Sequence, residues 1–232
     1  MLEINKIYNM DCLEGMKLLD DKSVDLIVTD PPYGINYQSN RRNQKFNKIK
    51  MDDSLDWIED FIFESYRVLK SNSAFYCFTR WDVYPTWKST IENLEFKIKN
   101  CLVWHKLESL GGMGDLEGSY ISNYEFIIFA TKGRKILWKN GKKRKYGIFR
   151  NTEINSPSKL IHPNQKPVSL IIEFINDATN KGDIVLDPFM GSGTTALACI
   201  ETNRNFIGFE IEKEYYEMAN KRIKKVKSQW RF

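Results

Sequence analysis

Asp30-Pro31-Pro32-Tyr33 places a carboxylate, backbone carbonyls and an aromatic ring on one short stretch of chain. Neither proline carries an N–H, and Pro32 biases Pro31 away from helical geometry, so this stretch is extended and rigid. Acceptors beside a stacking ring are the parts needed to hold an amino group on a flat ring. A strand that merely ends at two prolines beside an incidental Asp would read the same way in isolation. A second set lies far downstream, in Asp187-Pro188-Phe189-Met190-Gly191-Ser192-Gly193-Thr194-Thr195. Its alternating glycines let backbone N–H groups approach a ligand, and the helix start beyond them can accept a carboxylate. No lysine follows Gly193, which excludes the Walker phosphate loop. Glu210 ends the next apolar run, where it either receives ribose hydroxyls or caps the helix that follows.

Positioning these residues requires strands that end where they begin. Val24 to Val28 is a short branched apolar run, read as a buried strand of a parallel sheet ending at Asp30. Ala74 to Phe78, Phe96 to Trp104, Tyr124 to Ala130, Asp183 to Leu186 and Phe206 to Glu210 read as further strands. Helices are predicted from Ser54 to about Leu69, from Asp82 to Asn93, from Val168 onward and from Glu212 onward. The β-α alternation is that of a doubly wound sheet. Near the amino end, Leu2 to Tyr8 reads as a strand. Asp11 stands at its carboxyl end, suited to cap the helix that begins at Cys12.

Two stretches carry concentrated positive charge. Arg41 and Arg42 lie in the polar run after Tyr33, which is either a solvated loop or a cover over substrate phosphates. Lys139, Lys142, Lys143 and Arg144 are interleaved with Trp138 and Tyr146. That pattern suits a solvated face or contacts to phosphates and bases. The formal net charge of +5 permits a nucleic-acid partner without requiring one.

Asp30 to Tyr33 resembles the D-P-P-Y motif of the DNA amino methyltransferases, which act on the exocyclic nitrogen of adenine or cytosine. Asp187 to Thr195 resembles their S-adenosylmethionine loop, D-P-F-x-G-S-G-T-T, without a mismatch. His162-Pro163-Asn164-Gln165-Lys166-Pro167 is similar to their H-P-T-Q-K-P, with Asn164 in place of Thr. The catalytic motif precedes the cofactor loop, as in the circularly permuted beta group, and the resemblance spans nearly the whole chain. It implies an α/β, Rossmann-like seven-stranded methyltransferase sheet with one antiparallel edge strand. One domain, 1–232, would carry a short inserted target-recognition region at 105–160.

The resemblance also assigns roles. Asp30, Pro31, Pro32 and Tyr33 would be catalytic. S-adenosyl-L-methionine would be held by Asp11, Asp30, His162, Gln165, Lys166, Asp187, Phe189, Gly191, Ser192, Gly193, Thr194 and Glu210. Arg41, Arg42, Lys139, Lys142, Lys143 and Arg144 would contact DNA. The base expected is adenine, methylated on N6, with cytosine N4 as the alternative. A homodimer is a further expectation.

Other classes fit poorly. A dinucleotide oxidoreductase should carry G-x-G-x-x-G after a strand, and this chain does not. A non-catalytic DNA-binding module would not need Asp187 to Thr195 intact. Four scattered cysteines and two histidines give no zinc spacing, so no metal is expected and the cysteines read as reduced core thiols. With no leader and no apolar run of membrane-spanning length, the protein is expected in the cytoplasm.

Overall fold

Side chains that alternate in direction along apolar strands need cover on both faces of a sheet, and six helices among the described residues provide it. In a computed structural model, the structure describes residues 2–33, 56–106, 118, 120, 122–134, 138–139, 141, 145–151 and 165–229. The elements in chain order are β1 (Lys6–Tyr8), α1 (Cys12–Lys17), β2 (Val24–Thr29), α2 (Ile58–Val68), β3 (Leu69–Thr79), α3 (Tyr84–Asn93) and β4 (Lys97–Lys106). They continue with β5 (Tyr124–Lys132), β6 (Ile148–Asn151), α4 (Val168–Ala178), β7 (Ile184–Asp187), α5 (Thr194–Glu201), β8 (Asn205–Phe209) and α6 (Lys213–Gln229).

One sheet runs in the order β1-β8-β7-β2-β3-β5-β4-β6. Leu26, Val28, Tyr76 and Phe78 pack with Phe174 of α4, Leu197 of α5 and Ala219 of α6 on one face. Ile27, Phe75 and Cys77 pack with Met16 of α1, Phe61 of α2 and Trp87 of α3 on the other. The result is three layers, with α4 to α6 on one side and α1 to α3 on the other. Tyr76 is sandwiched at ring-centroid distances of 4.8 Å from Phe129 and 4.4 Å from Phe174, which welds β3, β5 and α4 together.

Seven of the strands form the expected methyltransferase sheet, and β6 adds an eighth beside β4. Among the described strands only β5 runs antiparallel, lying inside the sheet between β3 and β4 and not at its edge. Its run Ile127 to Ala130 is buried on both faces, and an interior position requires that. Two strands of the main sheet, β5 and β6, therefore come from the range 105–160. Helix α2 starts at Ile58, and Ser54, expected to cap it, lies outside the described residues. Cys12, Cys77 and Cys199 are buried free thiols, whereas Cys101, expected in the core, is exposed. It sits on the first half of β4, where most residues are exposed and the pairing with β6 has not yet begun.

Among the described residues no helix is long and apolar enough to cross a membrane. Nor is any group of three or more His, Cys, Asp or Glu side chains among them placed to hold a metal ion.

Candidate active site

Strands β2 and β7 lie side by side and parallel, with Ile27 opposite Leu186. The chain leaves β2 toward β3 on one side and leaves β7 toward β8 on the other. This divergence opens a crevice at the strands' carboxyl ends, the place where open α/β sheets bind ligands. Asp30 follows the last residue of β2, and Asp187 is the last of β7. Two loops 157 positions apart in sequence, counted from Asp30 to Asp187, thus open onto one crevice. The charge of Asp30 reaches Asp187, as does that of Glu210.

Pro31 and Pro32 are buried and Asp30 is partly so. The Tyr33 hydroxyl donates to Asp30 Oδ1 at 2.5 Å, and Lys166 Nζ donates to Oδ2 at 2.5 Å. Lys166 also stands 3.1 Å from Glu125 Oε2, while Lys106 Nζ pairs with Glu125 Oε1 at 2.6 Å. The approach to Oε2 is a charge contact without hydrogen-bond alignment, since that oxygen has no hydrogen-bond partner. Four charges of alternating sign therefore line one wall: Asp30, Lys166, Glu125 and Lys106. Burial raises the Asp30 carboxyl above its ordinary value against the pull of Lys166, and Glu125 adds to the rise. Burial would also raise Glu125, but Lys166 and Lys106 outweigh it and hold that carboxyl at about 2. Burial acts to lower Lys166, and the two carboxylates more than reverse it.

The cofactor side is built from β7, α5 and β8. Gly191 and Gly193 have φ of 53° and 85°, a left-handed backbone that glycine adopts without strain. A Cβ on Gly193 would lie 3.0 Å from Ala219 of α6, so the loop packs closely on that helix. Arg222 of α6 donates to the Ser192 carbonyl and Oγ at 2.6 and 2.9 Å, pinning the loop from behind. Phe189 packs edge-on to Phe61 at 5.4 Å and lies against Trp57 at 5.5 Å. Thr194 opens α5, and the Thr195 hydroxyl donates to Asp187 Oδ2. Glu210 accepts from the Gly191 amide at 2.8 Å, which ties the end of β8 to the glycine loop.

The electrostatics suit a cationic ligand. Burial raises Asp187 to about 7 although Thr195 and the Phe189 amide donate to it, and burial raises Glu210 as well. Among the described residues neither carboxylate has a Lys or Arg partner. Gln165 Oε1 is buried with no hydrogen-bond partner. S-adenosylmethionine, with a sulfonium and an ammonium against one carboxylate, supplies the missing positive charge and donors. The residues present fit that group.

The other sequence-predicted residues divide by position. Asp11 caps α1, with Oδ1 accepting from the Leu13 and Glu14 amides at 2.8 and 3.2 Å. Among the described residues its second oxygen accepts no hydrogen bond. Lys166, expected beside the cofactor, reaches Asp30. Lys139 is not brought to this crevice: its amide bonds the carbonyl of Asp177, near the far end of α4, an eleven-residue helix about 16 Å long. His162, Arg41, Arg42, Lys142, Lys143 and Arg144 lie outside the described residues. Glu125, Lys106 and Arg222 were missed from the sequence. For Glu125 a signal existed, a lone acid within the otherwise apolar run Tyr124 to Ala130.

The DNA methylase family model, which covers N6 and N4 enzymes, matches residues 24–221. The Type II methyltransferase M2.MboI of Moraxella bovis is 32% identical over 95% of this chain and 88% of its own length. The DNA adenine methyltransferase YhdJ of Escherichia coli K12 is 31% identical over 95% and 83%. The crystal structure of the M1.HpyAVI–SAM complex superposes with a TM-score of 0.70 at 32% identity, covering 94% of this chain and 98% of that one. A crevice that joins a D-P-P-Y carboxylate to an S-adenosylmethionine loop, on a chain matched over this length, places the protein in the DNA methylase family as an S-adenosylmethionine-dependent DNA methyltransferase of the beta group.

Proposed function

We propose that the base methylated is adenine, at its exocyclic N6, within a short DNA sequence. The observation that carries this reading is Asp30, an acid opening the D-P-P-Y loop at the carboxyl end of β2 beside the β7 loop. Cytosine-specific members often carry Ser there. The name of YhdJ, an adenine enzyme at 31% identity, supports the same choice. Because the family model spans both chemistries, N4 of cytosine is the second reading.

S-adenosylmethionine supplies an electrophilic methyl group on a sulfonium when bound. The rest is the work of the chain. The exocyclic nitrogen is a poor nucleophile because its lone pair is delocalised into the ring. Hydrogen bonds from the amino group to the Asp30 carboxylate and the Pro31 carbonyl favour the pyramidal nitrogen, and they strengthen as positive charge develops there. Asp30, raised by burial, is also suited to receive the proton that this nitrogen sheds. Tyr33 holds Asp30 in place and offers its ring to the base. The base reaches this crevice only out of its stack, at a cost of roughly a few kcal/mol. Gln165, Asp187 and Glu210 hold the cofactor, and the Gly191 to Thr194 backbone shapes its seat.

Arg41 and Arg42, following the catalytic loop in the chain, are proposed to meet the phosphates. A cytoplasmic location and a homodimer accompany this reading, and sedimentation checks the second. Digesting methylated DNA to nucleosides and weighing them by mass spectrometry tests the base. N6-methyldeoxyadenosine is the expected product, and N4-methyldeoxycytidine would overturn the adenine assignment.

A further inference from the structure

Both oxygens of Asp30 are already occupied by donors, Oδ1 by the Tyr33 hydroxyl and Oδ2 by Lys166. Each oxygen keeps a second lone-pair site, so an incoming amino group must share one of them with a donor already in place. A charge-assisted bond at 2.5 Å competes directly for the lone pairs that the base requires. Lys166 has a second destination in Glu125 Oε2, 3.1 Å away and buried without a hydrogen bond. An unsatisfied buried acceptor is costly, and a small turn of the ammonium would satisfy it. Lys106 fixes the other Glu125 oxygen at 2.6 Å, so the acceptor stays where it is while Lys166 moves. Lysine suits the motion, since it is a compact charge with three donors on a flexible stem. The Phe78 ring lies 5.0 Å from Nζ and offers its face to the cation.

We propose that Glu125 is a positioning residue for methyl transfer: it takes over the Lys166 ammonium as the target amino group engages Asp30, and so frees Asp30 Oδ2 for the base. The proposal rests on the role given to Asp30 above. The groups facing Asp30 are Tyr33, Lys166 and Glu125, with the Cys77 thiol and Asp187 close enough to feel its charge. Those facing Glu125 are Lys166 and Lys106, which keep it ionised and available throughout the working pH range.

The test uses the full chain with Glu125→Gln, Lys166→Met and the double substitution. Glu125→Gln is expected to keep cofactor affinity and lower kcat by about 10- to 100-fold, the scale of a mispositioned reacting group. Its acid limb should move to lower pH, because the negative charge that raises Asp30 is gone. In the Lys166→Met background, Glu125→Gln should have no further effect on kcat. Glu125→Asp retains the charge and draws the acceptor back, so it should lower kcat with the acid limb in place. It also keeps the test open should Glu125→Gln fail to fold. A Glu125→Gln enzyme with wild-type kcat and pH profile overturns the proposal, as do losses that simply add in the double variant. Absence of turnover by the wild type would instead overturn the methyltransferase reading itself.

Discussion

Asp187 is a carboxyl group buried beside other acids, and its shift to about 7 ties both stability and ligand binding to pH. The sign follows from which state holds the proton. Its folded value lies above the roughly 3.9 of an unfolded Asp, so its stabilising contribution is complete below that value and is lost as pH rises through about 7. Cofactor binding should run the other way, because a cation favours the ionised carboxylate. Affinity for S-adenosylmethionine is therefore expected to strengthen as pH rises through about 7, with uptake of the ligand releasing a proton. Calorimetry in buffers of different ionisation heat measures that proton directly. In Asp187→Asn the pH dependence should vanish; if it persists unchanged, another group is responsible.

The glycine loop between β7 and α5 owes its shape to two left-handed positions and to the helix behind it. Gly193→Ala would force a side chain into φ of 85° and against Ala219. A cost of about 1–3 kcal/mol is expected, read as a fall in Tm of roughly 2–4 °C per kcal/mol, together with weaker cofactor binding. Elements of this kind were legible in the sequence. Strands β2, β7 and β8 and the Ala74 to Phe78 stretch of β3 are largely apolar because helices cover both faces, and the loops after β2 and β7 carry their motifs locally. What escaped was set by pairing across long sequence separations. Strand β6 is four residues long, and only its partner β4 makes it a strand. Lys166 read as a cofactor residue from its own motif, yet it meets Asp30 across 136 positions. Glu125 read as an interruption of a strand, and only the antiparallel placement of β5 turns it toward that pair.

At the scale of the whole molecule, DNA has to approach the carboxyl ends of the strands, where Asp30 and the glycine loop open. If Arg41 and Arg42 each meet a phosphate, replacing both with Ala should raise KM for DNA and make its salt dependence shallower by about two ion equivalents. Lys139→Ala, at the other end of α4, is expected to leave that slope unchanged. A slope altered by Lys139→Ala and untouched by the arginine pair would move the DNA to the opposite end of the sheet. The most direct measurement is a single turnover with methyl-labelled S-adenosylmethionine and duplex DNA, comparing the wild type with Asp30→Asn alongside cofactor affinity. Label should enter the DNA of the wild type, and Asp30→Asn should bind cofactor within a few fold while transferring it at least about 10²–10³-fold more slowly. Near-normal transfer by Asp30→Asn would contradict the account.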